Sequence, residues 1–231
     1  MRKFCETLWR WILYVCLFSY GIKHVWSSVW LWDPIHCWTD FPYQNMEPWI
    51  KNYYWAELSV YGSLSLSVAV IDIRRKDFVE QILHHIVTMF LLTFSYCANF
   101  FRIGTLVMVL HDSSDVFLEL AKLFVYMKKS ILADITFGCF AVTFLFTRCY
   151  LYPTLVLHTT WVKSMWLYTP FPGYYFFNFF LFALMILNLF WSYLILKMAY
   201  GLLSSGGKSV ENDSRSDAEE YTDSEEEKKC N

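Results

Sequence analysis

The chain has 231 residues, of which 56% are hydrophobic and 21% aromatic but only 17% charged, with a mean hydropathy of +0.32. A water-soluble globule of this length needs a charged shell that so few and so unevenly placed Asp, Glu, Lys and Arg cannot supply, so most of the surface is expected to face lipid. The formal charge of -2 hides a split, because from Ser204 onward nine acidic and four basic residues give -5 and leave +3 for the body.

Spanning the hydrocarbon takes about 20 apolar residues as a helix, and six runs of that order follow one another. They are Leu8 to Trp30, Asn52 to Ile71, Phe78 to Phe100, Ile103 to Tyr126, Ile131 to Leu155 and Tyr174 to Tyr200. The runs are too long and too continuously apolar for barrel strands, which alternate over about 10 residues. The sequence therefore predicts an all-α polytopic membrane protein, a bundle of about six transmembrane helices enclosing a polar intramembrane site.

Lys and Arg set the orientation. Arg2 and Lys3 precede the first run, Arg74, Arg75 and Lys76 follow the second, Lys128 and Lys129 follow the fourth, and Lys208 follows the sixth, all on one side. The loop from Leu31 to Pro48 on the other side has neither residue type. Both termini are thus expected in the cytosol, with Trp30, Trp49, Trp161 and Trp166 in an aromatic belt at the far side. No secretory signal is read at Met1, since the first apolar run lacks a small-residue cleavage site. The seven cysteines are scattered and form no C-x-x-C pair, so they read as small packing residues. Two domains are expected: a membrane body over residues 1–203 and a disordered acidic cytosolic tail over 204–231, too poor in apolar residues to fold. Ser214, Ser216, Thr222 and Ser224 each have an acid three positions on, the pattern an acid-directed kinase favours.

Ionisable residues inside spanning helices are costly and are the default functional hypothesis. On the third run Asp77, Gln81, His84, Thr88 and Ser95 fall within about 40° of one line at ~100° per residue. On the fourth, His111, Asp115, Glu119, Lys122 and Tyr126 share another, with Asp112 off its edge. Only a short turn separates the runs, so the stripes can face each other. His85 lies about 100° from His84 and cannot point the same way. The plainer account is that these groups only hydrogen-bond one another between helices, with Glu119 paired to Lys122, although Ser, Thr or Asn would glue a bundle at lower cost.

A neutral imidazole held by a carboxylate is both a nucleophile and a general base near neutral pH, which suits acyl transfer from a thioester to an amine or alcohol. The collar of Arg74, Arg75, Lys76, Lys128 and Lys129 is suited to the phosphates of such a donor, and the orientation rule alone also accounts for it. A metal enzyme with the histidines as ligands is a further reading, set against by having only three histidines at the site and no H-x-x-H-H cluster. No basic surface supports nucleic-acid binding.

The same residues carry a resemblance. DIRRKDFVEQILHHIVT from Asp72, FSYCANFFRIGTLV from Phe94 and HDSSDVFLELAKLFVY from His111 together resemble the longevity-assurance motif of the ceramide synthases, within the TLC membrane domain. The resemblance covers residues 2 to 203. It implies an endoplasmic-reticulum enzyme that joins a fatty acyl group from acyl-CoA, a co-substrate, to the amino group of a sphingoid base, with no resident cofactor and no metal. His84 is expected to be acylated with Asp115 as its partner, while His85, His111 and Asp112 orient it or shuttle protons. The loop from Thr159 to Pro172, with Trp161 and Trp166, is expected to contact substrate. Expected partners are acyl-CoA, the sphingoid base, membrane lipid, copies of itself or related synthases, and the tail kinase. Family members usually begin with a further spanning helix and often a homeobox-like region, which this chain is expected to lack. A non-catalytic TLC protein that binds or transports lipid is the alternative, one that would not need the His and Asp stripes.

Overall fold

The computed structural model describes residues 2–70 and 77–204. Arg74, Arg75 and Lys76 and almost all of the expected tail lie outside the described residues. Among the described residues all regular structure is helical, as long runs of Leu, Phe, Val and Ile without internal turn residues favour. Six long helices answer the six apolar runs: α1 (Arg2–Val25), α2 (Pro48–Val70), α3 (Phe78–Cys97), α4 (Phe101–Tyr126), α5 (Ser130–Phe144) and α6 (Pro172–Ser204). α5 continues through a π-helical stretch, Leu145–Leu157, and a last α-turn, His158–Trp161. Among the described residues three segments are long and apolar enough by length and composition to cross a membrane: Phe78–Cys97, Ser130–Trp166 and Pro172–Leu202.

The first run ends earlier than the apolar pattern suggests. α1 stops at Val25, and the aromatic residues after it enter single turns, Val29–Trp32 and Pro34–Cys37, the latter capped by Asp33 accepting from the Ile35 N–H at 3.3 Å. α3 and α4 end in left-handed residues, Asn99 (φ 61°) and Lys128 (φ 57°). In each case the next amide reaches back to satisfy a terminal carbonyl: Phe100 N–H to Ser95 O at 2.8 Å and Lys129 N–H to Phe124 O at 2.9 Å. Lys128 and Lys129, expected to hold substrate, lie exposed at this helix end.

The helices form a ring in the order α1, α2, α3, α6, α5, α4, closing where α4 meets α1, and α4 also leans inward on α2 and α3. That inward position buries fourteen residues of α4, from Phe101 to Leu123. Gly104 permits the closest approach, since a Cβ there would collide with the Tyr54 hydroxyl and lie 2.7 Å from Ser95 Oγ. These two groups bond each other at 2.9 Å, and Tyr54 also donates to Phe101 O at 3.2 Å.

One end of the ring is covered by the α1–α2 loop. Arg102 donates to His36 O at 2.7 Å, Tyr168 to Trp38 O at 3.0 Å and Asn99 to Pro42 O at 2.8 Å, while Lys163 pairs with Asp33 at 3.8 Å. Beneath these bonds Phe41, Phe100, Phe171 and Phe177 stack at centroid distances of 4.9 to 6.0 Å. The loop aromatics are therefore in part a plug rather than a belt. Of the six described cysteines only Cys37 is buried, and burial pushes its thiol up from the ordinary range. Four others lie exposed, against the expectation that most serve as packing residues.

Candidate functional site

Helical spacing turns His84, Thr88 and Ser95 of α3 toward the middle of the ring, where they meet Tyr61 of α2, Gly104 and His111 of α4, and Leu181 and Leu184 of α6. Together they enclose a cavity of about 30 Å³, which has room for about one water. Apart from the two imidazoles and the Tyr61, Thr88 and Ser95 hydroxyls its wall is apolar. The two stripes read from the sequence do converge, with His84 and His111 on one cavity.

His84 Nδ1 is buried without a hydrogen-bond partner. Its ring stands edge-on to Trp191 at 5.2 Å, and the Trp191 indole N–H reaches Asp77 Oδ2 at a long 3.4 Å. His85 turns away from the cavity into the wall of an outer groove, its ring 5.9 Å from that of His84 and 6.3 Å from that of Tyr61. The doublet thus has one member on each side of the α3 wall.

His111 is held at both nitrogens. Nδ1 lies 2.8 Å from Val107 O, and because a carbonyl only accepts, Nδ1 carries the proton there. Nε2 is then the acceptor facing Asn188 Nδ2 at 3.4 Å. Tyr152 packs edge-on against the same ring at 5.5 Å.

The carboxylates are placed differently from the expectation. Asp115 Oδ1 accepts from Arg148 Nη2 at 2.7 Å and from Ser114 Oγ at 3.3 Å, so its partner is an arginine of the π-helical stretch rather than His84. The same Nη2 donates to His111 O at 3.0 Å, and the guanidinium lies 4.5 Å from the centre of the Phe144 ring, while its buried Nε has no partner. Arg148 thereby fixes two residues of the α4 stripe through one side chain. Asp112 points the other way, toward α2, and its Oδ2 accepts from the Tyr53 hydroxyl at 2.9 Å. Glu57, fully buried, adjoins this pair, yet neither of its carboxyl oxygens nor Asp112 Oδ1 makes a hydrogen bond of good geometry. Glu119 pairs with Lys122, one turn nearer the α4 end.

The sequence does not mark Arg148, Glu57, Asn188 or Trp191, and it reads Tyr53 only as part of the aromatic belt, whereas Tyr53 is fully buried against Asp112. A charged residue isolated in an apolar run, as Arg148 and Glu57 each are, was the signal available. Of the remaining expected residues that the structure describes, Lys128, Lys129, Trp161 and Trp166 are not among those lining the cavity. Trp161 stacks on Tyr174 at 6.0 Å and stands edge-on to Phe182 at 5.4 Å, and Trp166 is exposed. Both sit at the far end of the α5 segment from Lys128 and Lys129, so these two sets cannot grip one small group together. Among the described residues no three His, Cys, Asp or Glu side chains gather closely enough to hold a metal ion.

Comparison with known proteins adds the family. The TLC domain family model matches residues 3–197. Ceramide synthase 4 of Bos taurus is 44% identical over 223 residues, covering 96% of this chain and 56% of the relative. Ceramide synthase 5 of Homo sapiens is 42% identical over 230 residues, covering 100% of this chain and 58% of the relative. The chain thus spans little more than half the length of these two. Ceramide synthase LOH2 of Arabidopsis thaliana is 34% identical over 223 residues, covering 94% of this chain and 75% of the relative. With a domain match over most of its length and a relative covered to three quarters, this chain belongs to the ceramide synthase family of TLC-domain proteins.

Proposed function

We propose that this chain transfers a fatty acyl group from acyl-CoA to the amino group of a sphingoid base, giving ceramide or dihydroceramide. In this reading all six long helices span the endoplasmic-reticulum membrane, the C-terminus is cytosolic, and the ring cavity is an intramembrane active site. The observation that carries the proposal is the convergence of His84 and His111, from two helices, on one mostly apolar cavity. The names of the relatives supply the substrate class.

The chemistry divides into two exchanges. An imidazole nitrogen of His84 attacks the thioester carbonyl carbon; the C–N bond forms, the C–S bond breaks, and the imidazole proton leaves with the thiolate as free CoA thiol. The amine then attacks the acyl carbon of the acyl-imidazole. The amide C–N bond forms, the bond to His84 breaks, and an amine proton returns to the imidazole, restoring the neutral ring. As the carbonyl oxygen gains negative charge in each exchange, the Tyr61 and Thr88 hydroxyls in the cavity wall are the donors at hand to stabilise it. Arg148, through Asp115 and the His111 carbonyl, holds the α4 face in place.

Intact-mass measurement of the purified chain after incubation with acyl-CoA alone tests the first exchange. The mass is expected to rise by one acyl group, and His84→Ala is expected to abolish both the rise and amide formation in lipid vesicles. Undiminished amide formation by His84→Ala would defeat the reading.

A further inference from the structure

The cavity at His84 has room for little more than a water, so a long-chain acceptor cannot wait in it. A second space does have the size of a ligand site. Between α2 and α3 lies an open groove of about 500 Å³, within the roughly 300–1,000 Å³ usual for bound small molecules. Its floor and sides include Val68, Ile82, Met89 and Phe90, and its polar groups include His85 and Ser65.

Three features narrow what it takes. The groove opens on the outer face of the ring, which in the six-span reading is hydrocarbon, so its occupant arrives along the bilayer as an amphiphile rather than from water. Among the described residues its lining contains no Lys or Arg and is mostly apolar, as suits a hydrocarbon chain. The polar groups it does offer suit a small head of amine and hydroxyl groups: an imidazole, and a Ser65 hydroxyl that donates to Tyr61 O at 2.6 Å and keeps its acceptor capacity.

The groove also abuts the cavity. His85 in its wall lies 5.9 Å from His84 and 6.3 Å from Tyr61, ring to ring, and both of these line the cavity. One layer of side chains separates the two spaces.

We propose that the groove between α2 and α3 is the docking site of the acyl acceptor, a single-chain amino alcohol whose tail lies along Ile86, Met89 and Phe90 and whose amino end rests at His85 and Ser65. Displacement of the Tyr61–His85 contact then brings the amine to an acyl group held on His84 without the chain leaving the membrane. This rests on the acyl-transfer reading for the identity of the acceptor, while the site itself is open to a direct test.

The full chain is placed in lipid nanodiscs and irradiated with sphinganine bearing a mid-chain diazirine, with and without excess unlabelled sphinganine, and with a diazirine phospholipid as a measure of ordinary surrounding lipid. Adducts are expected on α2 and α3 at the groove, competed by sphinganine, with the phospholipid giving adducts that sphinganine does not compete. Competed adducts only elsewhere, or groove adducts indifferent to sphinganine, overturn the proposal. In a second arm Met89→Trp fills the groove and is expected to raise the KM for sphinganine at least tenfold, with acylation of the protein by acyl-CoA alone unchanged. An unchanged KM in Met89→Trp overturns the groove and leaves the acyl-transfer reading standing. Competed groove adducts on a wild-type chain that forms no amide would do the reverse, and the labelling does not depend on the variant folding.

Discussion

Replacing Arg148 by Met removes the cation from a buried ion pair while keeping most of the side chain's apolar stem. The guanidinium sits 2.7 Å from Asp115 Oδ1, with only 6% and 18% of the two side chains exposed, so the carboxylate left behind keeps a single weak donor, Ser114 Oγ at 3.3 Å. Stranding one member of a buried pair costs about 3–5 kcal/mol. Ser114 Oγ also lies 3.1 Å from His111 O and has a single proton, so without the guanidinium it serves the carboxylate or the carbonyl but not both. Such a loss is a large part of the ~5–15 kcal/mol that holds a typical domain together. Asp115→Asn leaves the guanidinium unpaired and is expected to cost a similar amount, while the double variant loses both charges and is expected to fall short of the sum by about 2 kcal/mol or more. Arg148→Lys should lie between, since an ammonium keeps the positive charge but sits on a shorter side chain than the Nη2 that now reaches both acceptors. Unfolding in mixed micelles of increasing SDS content, followed by tryptophan fluorescence, measures all four proteins. Additivity of the two single changes to within ~0.5 kcal/mol would show that the pair is not coupled and would refute the reasoning.

Gly104→Ala is expected to cost about 1–3 kcal/mol by overpacking against Tyr54 and Ser95, and Tyr54→Phe, which removes the colliding hydroxyl, should restore part of it in the same unfolding assay. A Tyr54→Phe, Gly104→Ala protein no more stable than Gly104→Ala alone would place the strain elsewhere. Burial and the raised thiol make Cys37 a poor nucleophile, so at neutral pH maleimide should label the exposed Cys5 and spare Cys37 until the protein is denatured, as read by peptide mass. Equal labelling of both in the folded protein would contradict its placement under the plug.

Much of this was open to reading from residue order alone. Six apolar runs became six long helices, and the 3.6-residue period put His84 and Thr88 on one line and His111 on another, both now found at the cavity. The same period separated His84 from His85. What stayed hidden was who answers whom across the ring. Arg148 and Asp115 are 33 residues apart, Tyr53 and Asp112 are 59 apart, and Trp191 and Asp77 are 114 apart. Periodicity along one helix says which face is polar but carries no term for the rotation of the neighbour that meets it. The loop after α1 shows the same limit: an aromatic belt and an aromatic plug have the same composition, and only the bonds from Arg102 and Tyr168 to its carbonyls distinguish them.

The π-helical stretch has a consequence for how this protein tolerates change in length. Arg148, Tyr152 and Val156, four residues apart in each step, all face inward, while Phe146 and Tyr150 face out. A single inserted or deleted residue between Arg148 and Tyr152 would leave every side chain chemically intact yet swing one of the two off its target, either the α4 acceptors or the edge of His111. For this segment residue count is therefore a stricter requirement than residue type, and its outward positions are the natural place for sequence drift.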